Sequence, residues 1–560
     1  MIKQYEWLPH LENSMTDDTL GYAASPYSIS LEGWRRGLDL VFIKTKKKSM
    51  ALATFELSDG ENKYRYYSTR GSLVAKEAVN ICVNKHRTKE YLDASNVPTP
   101  KGFEYKGEIE NDEIVKKIKQ DISLSFPLVI KPTDGTGGKG VIANIRNIKE
   151  FEENLNYVRD TLGYKNVIVE EHFHGEDYRV YVVGNEAVAA TKRISPNVIG
   201  DGVSTIADLI KEKNNQRKEM KLYKSSLIKV GEELKRFLQS NGLSLDSIPK
   251  VGERVYVMSK NNVTAGGDPV DATDDLFPEA KEIAVRALKA IPGLPQGGVD
   301  LMVNHETKEA TVIEINSRAH IRLNLFPLEG KGRDIPKAIV DYYFPNTTQN
   351  TNSPLYFDFG RFWRKLQNSE LKQIEVPKHP EGELEITRFL VSGNVRNVNF
   401  SKWVEDIALD YNLHGFVKQL ENKNVSIVIC GLVEDIANFR EIIMKQLPEE
   451  YKEYTVKEKI RKSPVSIGFQ NINEQYDKVI IEGYYPVRLR DTEKTPLSYK
   501  RKKKSKPINN KNDSTINSDK NLSNIETVYQ KKYYNIVNST SWKLTKPLRL
   551  IGKIVKGKKI

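Results

Sequence analysis

Two lysines and four glycines, close together, carry the first chemical signal of this chain. In FPLVIKPTDGTGGKGV (126–141) an apolar run reaches Lys131, and Gly135, Gly137, Gly138, Lys139 and Gly140 follow before Val141 restarts an apolar run. The pattern reads as strand, glycine-rich loop, strand. Glycines let backbone N–H groups turn toward an anion, and the lysines add positive charge, which together suit a nucleotide triphosphate. The loop is neither a Walker loop, since Gly140 follows the Gly-Lys pair where Ser or Thr is required, nor a dinucleotide fingerprint, since no helical pattern opens behind it. A flexible surface hairpin would share its composition.

Other residues narrow the chemistry. Lys85 and Lys89 lie one turn apart on a helix face, and a solvated basic face is the plain alternative. Glu170 and Glu171 end the apolar strand that begins at Val167, and Arg179 sits in the next strand. Asp300 interrupts the apolar run GGVDLMV, while Glu314 and Asn316 alternate by two in ATVIEIN and so share one side of their strand. Three oxygen-bearing side chains on otherwise apolar strands fit a Mg²⁺ site completed by waters and phosphate oxygens. A buried hydrogen-bonded cluster is the alternative.

These residues need a scaffold that alternates helix and strand. SLEGWRRGLDLVFIKT passes from helix into the run Leu38–Ile43, and a helix is expected over Val74–Ala94 until Val97-Pro98-Thr99-Pro100 forces an extended exit. FEENLNYVRDTLG reads as a helix and NVIVEEHFHGEDYRVYVVGNEAVAATKR as successive strands. An N-capped helix opens near Ser204 or Thr205, with 207–240 mostly helical, and PEAKEIAVRALKAI is a further helix before the strands that carry the acidic residues.

At 560 residues the chain has room for about three or four domains. No apolar run approaches the ~20 residues of a membrane span, and the first residues do not form a signal peptide, so the expected location is cytoplasmic. Cys82 and Cys430 lie in apolar runs and read as buried structural residues. The net charge of +13 points away from nucleic acid once located: residues 501–560 hold 16 Lys+Arg against 3 Asp+Glu, which leaves 71 of each sign in residues 1–500.

Residues from about 65 to 345 resemble the ATP-grasp ligases, most closely the ATP-grasp modules of cyanophycin synthetases and bifunctional glutathione synthetases. The matching pieces stand in the family's order: NKHRTKEYL with VPTPKG, VIKPTDGTGGKGV, VIVEEHFHGEDYRVYVVG, RISPNVIGDGVSTIADLI, GERVYVMSKNNVTAGGDPVDATD, GGVDLMV and VIEINSRAHIRLNLFP. The resemblance implies that Lys85 and Lys131 hold nucleotide phosphates under the loop Gly135–Gly140, that Glu170 with its strand end, including Glu171, holds the adenine, and that Asp300, Glu314 and Asn316 bind Mg²⁺, or Mn²⁺ in its place. Arg179 and Arg322 match arginines that face the reacting phosphate and carboxylate. The implied reaction is ATP-dependent: a carboxylate attacks the γ-phosphate, and an amine displaces phosphate from the acyl phosphate to give an amide. Ser317-Arg318-Ala319-His320 departs from the small residues usual beside the carboxylate pocket, so the substrates do not carry over. The Mur-ligase-like half of cyanophycin synthetase and the cysteine-ligating half of the glutathione enzymes have no counterpart in this sequence. A non-enzymatic ATP-binding scaffold is one rival reading.

From ELEITRFLVSGNV to about Gln470 the chain resembles acylphosphatase, a ferredoxin-like α/β sandwich. Ser401 stands where that family's phosphate-binding arginine is expected and Gln419 where its water-orienting asparagine is expected, so this domain reads as a non-catalytic module, with Arg396 as a weak substitute cation. An acylphosphatase-type hydrolase is the rival enzyme reading. Thr492 to about Thr527 has the Lys, Asn and Ser composition of a disordered linker. Beyond it, Leu544, Leu548, Ile551 and Val555 share a helix face among basic residues, a pattern suited to an anionic membrane surface, to an acidic partner, or to a solvated tail. The segment faintly resembles the ends of some bacterial surface-polysaccharide glycosyltransferases.

The expected organisation is α/β: an N-terminal region (1–80), an ATP-grasp domain (81–346), a linker (347–380), an acylphosphatase-like α/β sandwich (381–475), a second linker (476–527) and a basic amphipathic tail (528–560). The expected partners are small-molecule or peptide carboxylates and amines.

Overall fold

The computed structural model describes residues 5–120, 123–133, 139–258, 263–393, 395, 398–445 and 454–472. Gly135, Gly137, Gly138 and Arg396 lie outside these residues, as does the whole C-terminal stretch from 473. The chain is mixed α/β, and antiparallel pairing dominates its larger sheets.

Helix Ala24–Arg35 is buried along its whole length. A helix of that kind needs cover on all sides. The sheet Gln373–Val376, Asp39–Ile43, Thr54–Ser58, Lys63–Tyr67, Arg70–Gly71 lies against it, and helix Ile335–Tyr343 packs beside it. Its charged end is neutralised internally: Arg36 pairs with Glu32 at 2.7 Å and with Asp341 at 2.7 Å. Trp34 is fully buried and donates its indole N–H to the Pro377 carbonyl at 2.7 Å. Removing so large a buried ring typically costs about 3–5 kcal/mol, so Trp34→Ala is expected to lower the denaturation midpoint accordingly in chemical unfolding followed by circular dichroism.

Residues 347–380 differ from the linker expected. They contain helix Phe359–Asn368 and strand Gln373–Val376, which pairs antiparallel with Asp39–Ile43. The polar and proline-rich composition hid a helix whose Phe359, Trp363 and Leu366 all face the N-terminal core.

A four-stranded antiparallel sheet follows, ordered Gly102–Tyr105, Val167–Glu171, Leu128–Pro132, Ile142–Ile145. Alternation along its strands divides the work. Leu128, Ile130, Val167 and Val169 face helices Asn111–Gln120 and Ile148–Asn156, while Lys131, Ile168 and Glu170 face the opposite way. The expected helix over Val74–Ala94 is two helices, Lys76–Val83 and Lys85–Ala94, broken at Asn84, whose side chain accepts the Arg87 N–H and caps the second.

A five-stranded sheet, antiparallel throughout, runs in the order Asp268–Asp271, Glu186–Ile194, Glu176–Val183, Gln296–Asn304, Glu309–Asn316. Val180, Val182, Val299 and Leu301 face helix Pro278–Ala290. The intervening residues Arg179 and Asp300 therefore face the other side. A register shift after Asp300 sets Glu314 directly opposite it. Between these strands, Asn197–Ile199 and Arg254–Tyr256 pair beside helices Ile206–Glu219 and Glu232–Ser240, the first capped by Thr205.

Residues 384–472 form a second α/β sandwich, with strands ordered Tyr454–Ile460, Leu384–Gly393, Val425–Leu432, His414–Gln419, Phe469–Ile472. Helices Val398–Asp410 and Val433–Lys445 bury Phe400, Val404, Ile436 and Phe439 against it. Leu355–Tyr356 adds a short parallel pairing to Val465–Ser466.

Candidate active site

The polar face of the four-stranded sheet, helix Lys85–Ala94 and strand Glu309–Asn316 line a cleft. Lys85, Lys131, Glu170 and Glu314 line it among Ile168, Val312 and Ile315. Lys131 Nζ lies 2.5 Å from Glu170 Oε1, and both side chains are buried. Glu170, expected to serve the adenine, is thus placed on the lysine expected to serve phosphate. Glu171 points elsewhere and accepts the Ser125 N–H at 2.9 Å. Lys89 is consumed locally, donating to Thr99 Oγ1 at 2.5 Å and to the Pro100 carbonyl at 2.9 Å. It fixes the exit of its helix at the side of the cleft, which Lys85 on the same face also lines. Of the glycine loop, Lys139 is exposed, and Gly140 adopts a φ of +73° with Pro132 and Tyr164 where a Cβ would stand.

Arg179 opposes Asp300 across the strand pair and holds it bidentately, with Nε–Oδ1 at 2.7 Å and Nη2–Oδ2 at 2.8 Å. Arg193, also paired with Asp177, reaches Asp300 at 3.2 Å. Burial pushes the Asp300 carboxyl up, but the two guanidiniums outweigh it and hold the group below the usual carboxylate range. Glu314 moves the other way: burial and then the Asp300 charge raise it, against Lys85, Arg179 and Lys131. Arg193 was not singled out from sequence; its position two residues beyond Thr191 on a strand neighbouring Arg179 is the signal that could have found it.

Asp300, Glu314 and Asn316 come together as the alternation implied. Among the described residues no three His, Cys, Asp or Glu side chains are placed to share an ion, and the expected set takes its third oxygen from the Asn316 amide. Asn316 is half-buried, and its Nδ2 is buried without a hydrogen-bond partner. All three donors are oxygens, and a divalent cation would relieve the repulsion that raises Glu314. The set fits Mg²⁺.

Arg322 begins the short helix Arg322–Leu325, donates to the Leu222 carbonyl at 2.7 Å and stacks 5.5 Å above the Tyr223 ring, its Nε buried without a partner. His320 packs against Tyr22 with ring centroids 4.6 Å apart and the planes tilted by 48°. Burial and then the neighbouring Arg318, Arg179 and Arg322 lower its pKa to about 4, so the imidazole is neutral at physiological pH. In the second sandwich, Ser401 is fully buried in helix Val398–Asp410 with its hydroxyl unpartnered, so a small neutral group occupies the place expected of a cation.

Residues 82–320 match the model of the ATP-grasp domain and residues 387–470 that of acylphosphatase. The chain is 33% identical over 302 residues to the glutathione biosynthesis bifunctional protein GshAB of Clostridium perfringens, an alignment covering 51% of this chain and 37% of that protein. It is 32% identical over 302 residues to the cyanophycin synthetase of Crocosphaera subtropica, covering 53% and 34% respectively. A crystal structure of a bifunctional glutathione synthetase from Pasteurella multocida aligns at 26% identity and a TM-score of 0.42, over 54% of this chain and 41% of that one. The chain spans little more than a third of the length of these two curated relatives. Within those bounds, residues 82–320 are an ATP-grasp domain and residues 387–470 an acylphosphatase domain.

Proposed function

We propose that the protein is an ATP-dependent carboxylate–amine ligase that forms an amide or peptide bond through an acyl phosphate, with release of ADP and phosphate. The observation that carries this reading is the cleft itself, lined together by Lys85 of the helix, Lys131 of the four-stranded sheet and Glu314, which stands opposite Asp300 and two residues from Asn316. Lys85 and Lys131 bind and orient the nucleotide phosphates. Asp300, Glu314 and Asn316 would hold Mg²⁺, which supplies charge neutralisation on the transferring phosphoryl group. Arg179, anchored bidentately on Asp300, offers its remaining N–H to that phosphoryl group, and Arg322 orients the attacking carboxylate. The carboxylate oxygen forms the new P–O bond as the β,γ-bridging P–O bond breaks. The amine then attacks the acyl carbon, and the C–O bond to phosphate breaks as the amine proton is lost. The apolar lining of the cleft excludes the water that would hydrolyse the acyl phosphate.

The test is ADP release with Mg-ATP against a panel of carboxylates, amino acids and peptides, with Lys131→Ala as control. Turnover that no panel member or cell extract stimulates would favour the ATP-binding scaffold instead.

The acylphosphatase domain acts here as a non-catalytic module, because Ser401 places no cation at the phosphate position. The full chain is therefore expected to hydrolyse benzoyl phosphate no faster than the uncatalysed reaction. A rate comparable to an active acylphosphatase would overturn this. A cytoplasmic location is part of the proposal; among the described residues no helix is long and apolar enough to cross a membrane. The basic tail would add weak attachment to anionic lipid. Deleting residues 528–560 should abolish co-sedimentation with phosphatidylserine vesicles, and unchanged binding would rule the attachment out.

A further inference from the structure

The turn that follows the metal-binding strand is held from outside the ATP-grasp domain. The Thr69 hydroxyl donates to the Ala319 carbonyl at 3.0 Å, and the Ser25 hydroxyl accepts the Ile321 N–H at 3.1 Å. Gly298 admits the turn, since a Cβ there would stand 2.6 Å from that of Ala319. The turn is therefore rigid, and it presents Arg318 and His320 beside the N-terminal region.

Two guanidiniums converge there. Arg318 lies 4.8 Å from the centroid of the Tyr67 ring and Arg70 lies 5.8 Å from the same ring. Burial first and then the Arg318 charge disfavour the Arg70 cation, and Arg70 also neighbours Cys82, which lines the cleft. Neither forms an ion pair with a carboxylate among the described residues. Beside them, Arg322 is buried with Nε unpartnered, and His320 has Nδ1 buried and unpartnered. Two half-buried like charges held against one ring repel each other, and burial deprives them of water. A bound anion removes both penalties. Arg179 and Arg322 already serve the phosphoryl group and one carboxylate, so Arg70 and Arg318 are surplus to a substrate with a single charge.

We infer that the carboxylate substrate carries a second anionic group, a further carboxylate or a phosphate, which Arg70 and Arg318 bind across the Tyr67 ring, so that the N-terminal region supplies half of the acceptor site. The inference rests on the ligase reading for which substrate the pocket takes. Tyr22 packs against His320 with the rings tilted by 48° and is hydrogen-bonded to Thr264 at 3.2 Å.

Calorimetric titration of the full chain, saturated with Mg²⁺ and a non-hydrolysable ATP analogue, tests it with glutarate, O-phosphoserine and butyrate as probes. Glutarate or O-phosphoserine should bind at least about tenfold more tightly than butyrate, and which of the two does so identifies the second group. Arg70→Gln and Arg318→Gln should each remove most of that advantage while leaving butyrate and nucleotide affinity unchanged, which also shows that the variants are folded. Equal binding of all three probes, no binding of either dianion, or a preference that survives both substitutions overturns the proposal. Nucleotide titration of the unsubstituted chain is read separately: dianion preference without nucleotide binding would defeat the ligase reading alone.

Discussion

Lys131→Ala is expected to lower ATP-dependent turnover by about 10²–10³-fold, the usual loss when one preorganised donor to a developing anion is removed. The substitution should also destabilise the protein. Lys131 and Glu170 are both buried and lie 2.5 Å apart, so deleting the lysine leaves a carboxylate without its partner, a change that typically costs about 3–5 kcal/mol. The two effects separate in a double variant. Lys131→Met with Glu170→Gln removes both charges from an apolar wall formed with Ile168, and its denaturation midpoint should return close to that of the unsubstituted chain. Its turnover should not return. Equilibrium unfolding measured beside ADP release distinguishes the outcomes: full activity in a stable double variant would remove Lys131 from the phosphate site.

The second large effect is expected at Asp300. Asp300→Asn takes the counter-charge from Arg179 and Arg193 together and leaves a neutral amide oxygen in place of one anionic donor of the proposed metal set. Turnover should fall by about 10²–10³-fold, and raising Mg²⁺ should restore little of it, because Arg179 loses the anchor that aims it. The pH dependence of stability has a definite sign. The folded-state pKa of Asp300 lies below its unfolded value, so its contribution is present above the unfolded value of about 3.9 and is lost as pH falls through the folded one. Glu314 is opposite in sign. Its raised pKa means that ionising it costs stability as pH rises from the ordinary carboxylate range through its own value. If Glu314 binds Mg²⁺ as proposed, the cation takes the ionised form, and activity should climb over that same interval, with the climb displaced to lower pH at saturating Mg²⁺. Glu314→Gln should abolish this limb of the pH–rate profile and weaken the Mg²⁺ dependence, measurable by steady-state kinetics.

Much of the site was legible because period-two alternation fixes direction. Glu314 and Asn316 share one side of their strand by alternation alone, whereas the side that Asp300 faces depends on the register between two strands. What alternation does not encode is which partner a charged group meets. The Glu170 contact to Lys131, the Arg193 reach to Asp300 and the departure of Glu171 to Ser125 all depend on distances between elements, which local sequence does not carry. The break at Asn84 was missed because the apolar spacing continues across it, while the capping side chain that stops the helix is a single residue. The stretch 347–380 was misread for a related reason. Its apolar residues serve a core made 300 residues earlier, so they form no self-contained pattern, and a lone four-residue strand has too few positions to alternate convincingly.

That strand has a consequence for how the protein is made. Gln373–Val376 closes a sheet whose neighbour, Asp39–Ile43, leaves the ribosome more than 300 residues sooner. Until then Asp39–Ile43 has an open edge, and Trp34 lacks both Phe357 and the Pro377 carbonyl. The ATP-grasp domain between them can collapse on its own local contacts while the first segment waits. A nascent chain stalled at residue 346 should therefore expose that edge to chaperones and proteases, and truncation there should yield an insoluble product even though every ATP-grasp residue is present.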